Sequence, residues 1–77
     1  MIEIINIMLS GVVISATVVP KEDNPSFEIA INIETMEIVK NTSDGFGMYE
    51  RGALYKLLTL YREFGVNLPE KAFCAYY

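Results

Sequence analysis

A chain of 77 residues with 52% apolar content and a net charge of −4 makes one small domain, residues 1–77, and is too hydrophobic for a disordered segment. The single cysteine, Cys74, excludes an internal disulfide framework, and the lack of histidine excludes Cys–His and Ser–His nucleophiles and the commonest zinc ligand. The acids crowd the first half, where Glu3, Glu22, Asp23, Glu28, Glu34 and Glu37 outnumber Lys21 and Lys40, so this half repels a phosphate backbone and suits a basic protein partner.

The run from Ile2 to Val19 is rich in β-branched residues on both sides of Ser10-Gly11, which reads as a hairpin. With Ser10 and Gly11 as the two-residue loop, Leu9 pairs with Val12, Ile7 with Ile14, Ile5 with Ala16 and Glu3 with Val18 on the face that meets a helix. The other face then carries Ile2, Ile4, Met8, Val13 and Val19 beside Asn6, Ser15 and Thr17. That is more aliphatic surface than a solvated sheet needs.

The uncharged stretch Ile4 to Val19 is not taken for a signal or a membrane span. No base precedes it, Asn6, Ser10, Ser15 and Thr17 interrupt it, and it falls short of the roughly 20 apolar residues a spanning helix requires. The localisation expected is cytoplasmic, in keeping with one free thiol.

Pro20 to Ser26 is a polar surface loop. From Phe27 the alternation is clean, with Phe27, Ile29, Ile31 and Ile33 on one side and Glu28, Ala30, Asn32 and Glu34 on the other, which predicts a half-buried strand. A strand around Glu37 to Asn41 completes a second hairpin. Its loop avoids strain if four residues share the turn, whereas a methionine forced to positive φ at Met36 would cost on the order of 1 kcal/mol.

Asn41 to Gly47 is a second loop. Met48 to Phe64 is the one long segment with helical periodicity, gathering Ala53, Leu54, Leu57, Leu58, Leu60, Tyr61 and Phe64 on a single arc. Glu50 alone among the charged residues intrudes on that arc, and its place three residues after Gly47 suits a carboxylate that reaches back to the cap amide. Gly65 and Pro69 end the helix. Ala72 to Tyr77 is predicted as a final strand, with a short helix begun at Pro69 as the alternative.

These elements predict an α+β fold of order ββββαβ: two antiparallel hairpins forming a meander sheet, one amphipathic helix packed on one face, and a short C-terminal strand. A helix about 10 Å wide covers only part of four or five strands, so apolar surface is left for a partner.

No catalytic, metal or cofactor set is visible. Glu22, Asp23 and Asn24, and Asn41, Ser43 and Asp44, lack the alternation of a calcium loop, and Cys74 reads as a structural thiol. The candidate interaction residues are therefore Ile2, Ile4, Met8, Val13 and Val19 on the hairpin, and Arg51, Tyr55 and Arg62 within about 40° on the exposed helix arc. The function expected is a non-catalytic protein-interaction or accessory module that self-associates as a homodimer through the hairpin. Nucleic-acid binding through Arg51, Tyr55 and Arg62 is the alternative.

Overall fold

The computed structural model describes residues 2–20, 25–43, 45 and 47–74. The strands are β1 (Ile2–Ser10), β2 (Val13–Val19), β3 (Phe27–Asn32), β4 (Ile38–Asn41) and β5 (Ala72–Cys74), and the helix α1 (Met48–Phe64) lies between the last two. They form one open antiparallel sheet in the order β4-β3-β2-β1-β5, with the helix on one side. The predicted ββββαβ fold is the observed one. The final segment is strand over Ala72–Cys74, and Tyr76 and Tyr77 lie outside the described residues.

The first hairpin departs from the predicted register. Its loop is Gly11-Val12, since Ser10 lies opposite Val13, Leu9 opposite Ile14 and Met8 opposite Ser15. Gly11 has φ 62, a conformation glycine adopts without the steric penalty of a Cβ. Beyond Met8 the register shifts, so that Ile5 faces Thr17, Ile4 faces Val18 and Glu3 faces Val19. The extra residue on β1 is a bulge at Asn6–Ile7, where Asn6 takes φ 55.

The bulge changes which side chains share a face. Strict alternation puts Ile2 and Ile4 opposite to Ile7 and Leu9, but inserting one residue between the pairs turns all four toward the helix. Ile2 and Ile4 are 1% and 0% exposed, in the core with Ile7, Ile14, Ala16 and Val18. Glu3 and Ile5 are the residues turned outward.

Across β3, Phe27, Ile29 and Ile31 are buried as their alternation predicts, and Ile33 is half-buried against the core. The β3–β4 turn is built on Asn32, whose Oδ1 accepts the amides of Glu34 at 2.8 Å and Thr35 at 3.1 Å. Its backbone carbonyl accepts from Met36 at 2.7 Å. The four-residue route does not escape strain, because Met36 takes φ 63 with its side chain 59% exposed.

Helix α1 has the predicted bounds. Ala53, Leu54, Leu57 and Leu60 are buried, while Leu58 and Tyr61 pack partly against the core. Phe64, assigned to the apolar arc, is exposed instead because the chain turns away at once. Gly65, at φ 61, donates its amide to the Tyr61 carbonyl at 2.8 Å and closes the helix.

Candidate interaction surface

Helix α1 covers one side of the sheet, and no element among the described residues covers the other. Register places the side chains of that side in rows, of which Ala30 alone is buried. Phe73, Glu3 and Val19 form the first, and Ile5, Thr17 and Glu28 the second; Met8, Ser15, Ala30 and Lys40 form the third, and Ser10, Val13 and Asn32 the last. Met8 and Phe73 stand out most, at 58% and 55% exposure. Ile5, Val13 and Val19 are half-buried by their neighbours in the sheet.

Of the five hairpin residues expected on the surface, Met8, Val13 and Val19 are there, and Ile2 and Ile4 are not. The correction follows from the bulge, which exchanges Ile2 and Ile4 for Glu3 and Ile5. Phe73 was missed because its facing depends on β5 pairing with β1, which no local pattern announces. The sign of the bulge is in the sequence: Glu3 and Asn6 are three apart, so strict alternation forces one polar residue inward, and an inserted residue lets both face out.

Charge on this face is sparse. Lys40 forms an ion pair with Glu28, and both side chains are half exposed. Beside that pair is a shallow hollow of about 220 Å³ lined by Asn6, Ser15, Ala16, Thr17, Glu28, Ile29 and Lys40. The edges are differently built. β4 is four residues long, carries Lys40, and is bulged at Val39 between the pairs Ala30–Lys40 and Ile31–Ile38; β5 is three residues long. Short edges, a bulge and a lysine are the features that discourage strand addition.

Arg51, Tyr55 and Arg62 are exposed on the outer surface of α1, with Tyr55 at 70%. They lie on the opposite side of the molecule from Met8, Val13 and Val19, so the two candidate sets do not meet. The Tyr55 backbone carbonyl accepts from Thr59 Oγ1 at 2.9 Å.

Glu50 is the only buried charged residue among those described. Its Oε1 accepts the Gly47 amide at 2.8 Å, as the capping pattern predicts. Burial works against the ionised carboxylate. Hydrogen bonds from the Ser43 side chain, the Gly47 amide and its own amide, with the nearby Arg51 charge, outweigh it and hold Glu50 below the ordinary value of 4.5. Ser43 Oγ is also 2.7 Å from Asn41 Oδ1 and from the Gly45 carbonyl, so its single proton has three competing acceptors around the loop before the helix. The network caps the helix.

Cys74 is half-buried, with Sγ 3.7 Å from the Gly52 carbonyl. Glu22, Asp23, Asn24 and Asp44 lie outside the described residues, and no group of three or more potential ligands for a metal occurs among the rest. No helix among the described residues is long and apolar enough to cross a membrane. Comparison with family models, curated proteins and solved structures gives no match.

Proposed function

We propose that the protein is a non-catalytic protein-interaction module, of accessory or regulatory type, whose docking surface is the uncovered face of the sheet. One observation carries the reading: the sheet guards its edges but leaves its face open. That face combines Ile5, Met8, Val13, Val19 and Phe73 with only Glu3 and the Glu28–Lys40 pair as charge. A face solvated for its own sake ordinarily carries charge on each strand, whereas β2 contributes none here. A reducing compartment such as the cytoplasm suits a chain with one thiol.

The test is binding by the immobilised chain in a native extract, with Val13→Lys and Met8→Lys placed on the face and Tyr55→Ala on the helix. Loss of bound protein in the first two, with retention in the third, supports the reading. Equal binding by all three rejects it.

A second reading, nucleic-acid binding, is favoured by the exposure of Arg51, Tyr55 and Arg62 on one helix surface. An aromatic between two guanidinium groups can stack on a base while the cations neutralise phosphates. Salt-dependent retention on heparin that falls in Arg51→Ala/Arg62→Ala separates it from the first.

A further inference from the structure

We propose that β5 is a removable strap: docked, it shields the edge of β1, and released, it lets β1 of one copy pair with β1 of a second copy. That edge is separate from the open face of the sheet, so a failure at one leaves the other standing.

The strand order makes β5 the cover of β1 on the side away from β2. β1 is the longest strand, nine residues from Ile2 to Ser10, with no lysine, proline or glycine and a single charge at Glu3. A long aliphatic edge of low charge is the kind that templates another strand. At the opposite edge of the sheet β4 is four residues long, bulged, and carries Lys40.

The strap lies where the edge is longest. β5 pairs with Ile2, Glu3 and Ile4, and the Glu70 carbonyl takes the Ile7 amide at the bulge. Only residues 8–10 of β1 extend past these contacts. With β5 docked, the uncovered edge runs among the described residues are three residues on β1, three on β5 and four on β4. Each is shorter than the segments of roughly six residues that template assembly. Without β5, all nine residues of β1 form the edge.

The strap is separable because it holds no fully buried position. Ala72 and Cys74 pack partly against the core, and Phe73 is exposed. β1 by contrast puts Ile2, Ile4 and Ile7 into the core and pairs with β2 from Glu3 to Ser10. Releasing β5 gives up three residues of ladder and leaves β1 in place.

Association through the uncovered edge stops at a pair. Antiparallel pairing of two β1 strands is two-fold, so each copy uses the same edge, and the β4 edges left at the two ends are the guarded ones. Pairing about the middle of β1 sets the two Glu3 side chains apart, each near Met8 of the facing copy.

The experiment uses Ala72→Pro and Phe73→Pro in the full chain. Consecutive strand residues point their amides to opposite sides, so one of the two substitutions removes a donor of the β1–β5 ladder. Folding is followed by the helix signal in circular dichroism, and release by the labelling rate of the half-buried Cys74 thiol. Association is followed by sedimentation up to high micromolar concentration. Pairing is located with a short bis-maleimide on Ile5→Cys in the same variants carrying Cys74→Ala, with Val39→Cys on β4 as the comparison.

The expected result is that at least one proline variant keeps its helix, labels Cys74 about tenfold faster and dimerises about tenfold or more tightly than the parent. Crosslinking is expected through Ile5→Cys and not through Val39→Cys. Loss of the helix in both variants overturns the inference, because a strap can be removed without the fold. Labelling unchanged in both overturns it as well. So does fast labelling with no association beyond the parent's, or crosslinking that fails at Ile5→Cys or appears at Val39→Cys.

Discussion

The amide of Ile7 donates to the carbonyl of Glu70 at 2.9 Å, joining the second residue of the β1 bulge to the segment that leads into β5. A bulge interrupts the ladder with β2 and leaves a backbone donor to be satisfied. Here the chain arriving from the helix supplies the acceptor. The irregularity that sorts Ile2, Ile4, Ile7 and Leu9 onto one face thus also guides the edge strand into place.

Asn6 is predicted to resist substitution by a β-branched residue more than its exposure suggests. Its φ of 55 is tolerated by asparagine but costs other L-residues roughly 1–2 kcal/mol. Asn6→Val should lower the unfolding free energy by about that amount, whereas Asn6→Gly should stay within about 1 kcal/mol of the parent. Urea unfolding of the two variants measures the difference, and an Asn6→Val midpoint equal to the parent's would falsify the strained bulge.

Met36 sits at φ 63 with its side chain largely in solvent. Little packing is lost when that side chain is removed, and glycine relieves the left-handed strain. Met36→Gly is expected to be neutral or to stabilise by up to about 1 kcal/mol, offset in part by the greater freedom of glycine in the unfolded chain. A clear loss of thermal stability would show that the Met36 side chain makes a needed contact.

Glu50 gives the fold a definite acid sensitivity. Its folded pKa lies below its unfolded value, so its contribution is present above the unfolded pKa and is lost as pH falls through the folded one. Stability should therefore decline from about pH 5 downward. Glu50→Gln should cost about 1 kcal/mol or more at neutral pH through the weakened hydrogen bonds to the cap, and should flatten the acid limb. Denaturant melts of both proteins across that range test it; parallel limbs would assign the acid loss to other carboxylates.

Leu57 and Phe64 were placed on the same helical arc and are predicted to behave differently. Leu57 is fully buried, and truncation to alanine typically costs 2–5 kcal/mol, enough to unfold or nearly unfold a domain this small. Phe64 is exposed, so Phe64→Ala should change stability by no more than about 0.5 kcal/mol. Comparable losses in both would mean that Phe64 is covered in solution.

What the sequence made legible was local. The helix bounds followed from 3.6-residue periodicity ended by Gly65, and the Glu50 contact from the spacing of a cap and its third residue. The strand pattern of Phe27 to Ile31 followed from clean alternation with Glu28. The first hairpin was not legible in the same way because Ile2, Ile4, Ile5, Ile7 and Leu9 are aliphatic in either phase, so hydrophobicity alone could not choose a register. The choice lay in two polar residues, Glu3 and Asn6, and in a turn glycine whose positive φ fits the first loop position rather than the second. Three residues of the candidate surface, Met8, Val13 and Val19, survived that shift; two did not, and Phe73 could be found only from a strand pairing distant in sequence.

That distant pairing has a kinetic side. The pairings among β1 to β4 join neighbours along the chain, across turns and loops of modest length, whereas Ile2 and Cys74 come together only after nearly the whole chain has been gathered. Loop closure of this span is costly before it is rewarded by three residues of ladder. The meander and helix can therefore condense first, with β5 docking last and opening first. Amide exchange should record the order, with the β1 amides bonded to β2 retaining protons long after those bonded to β5 and Glu70 have exchanged. The seam that opens first thus lies beside Phe73.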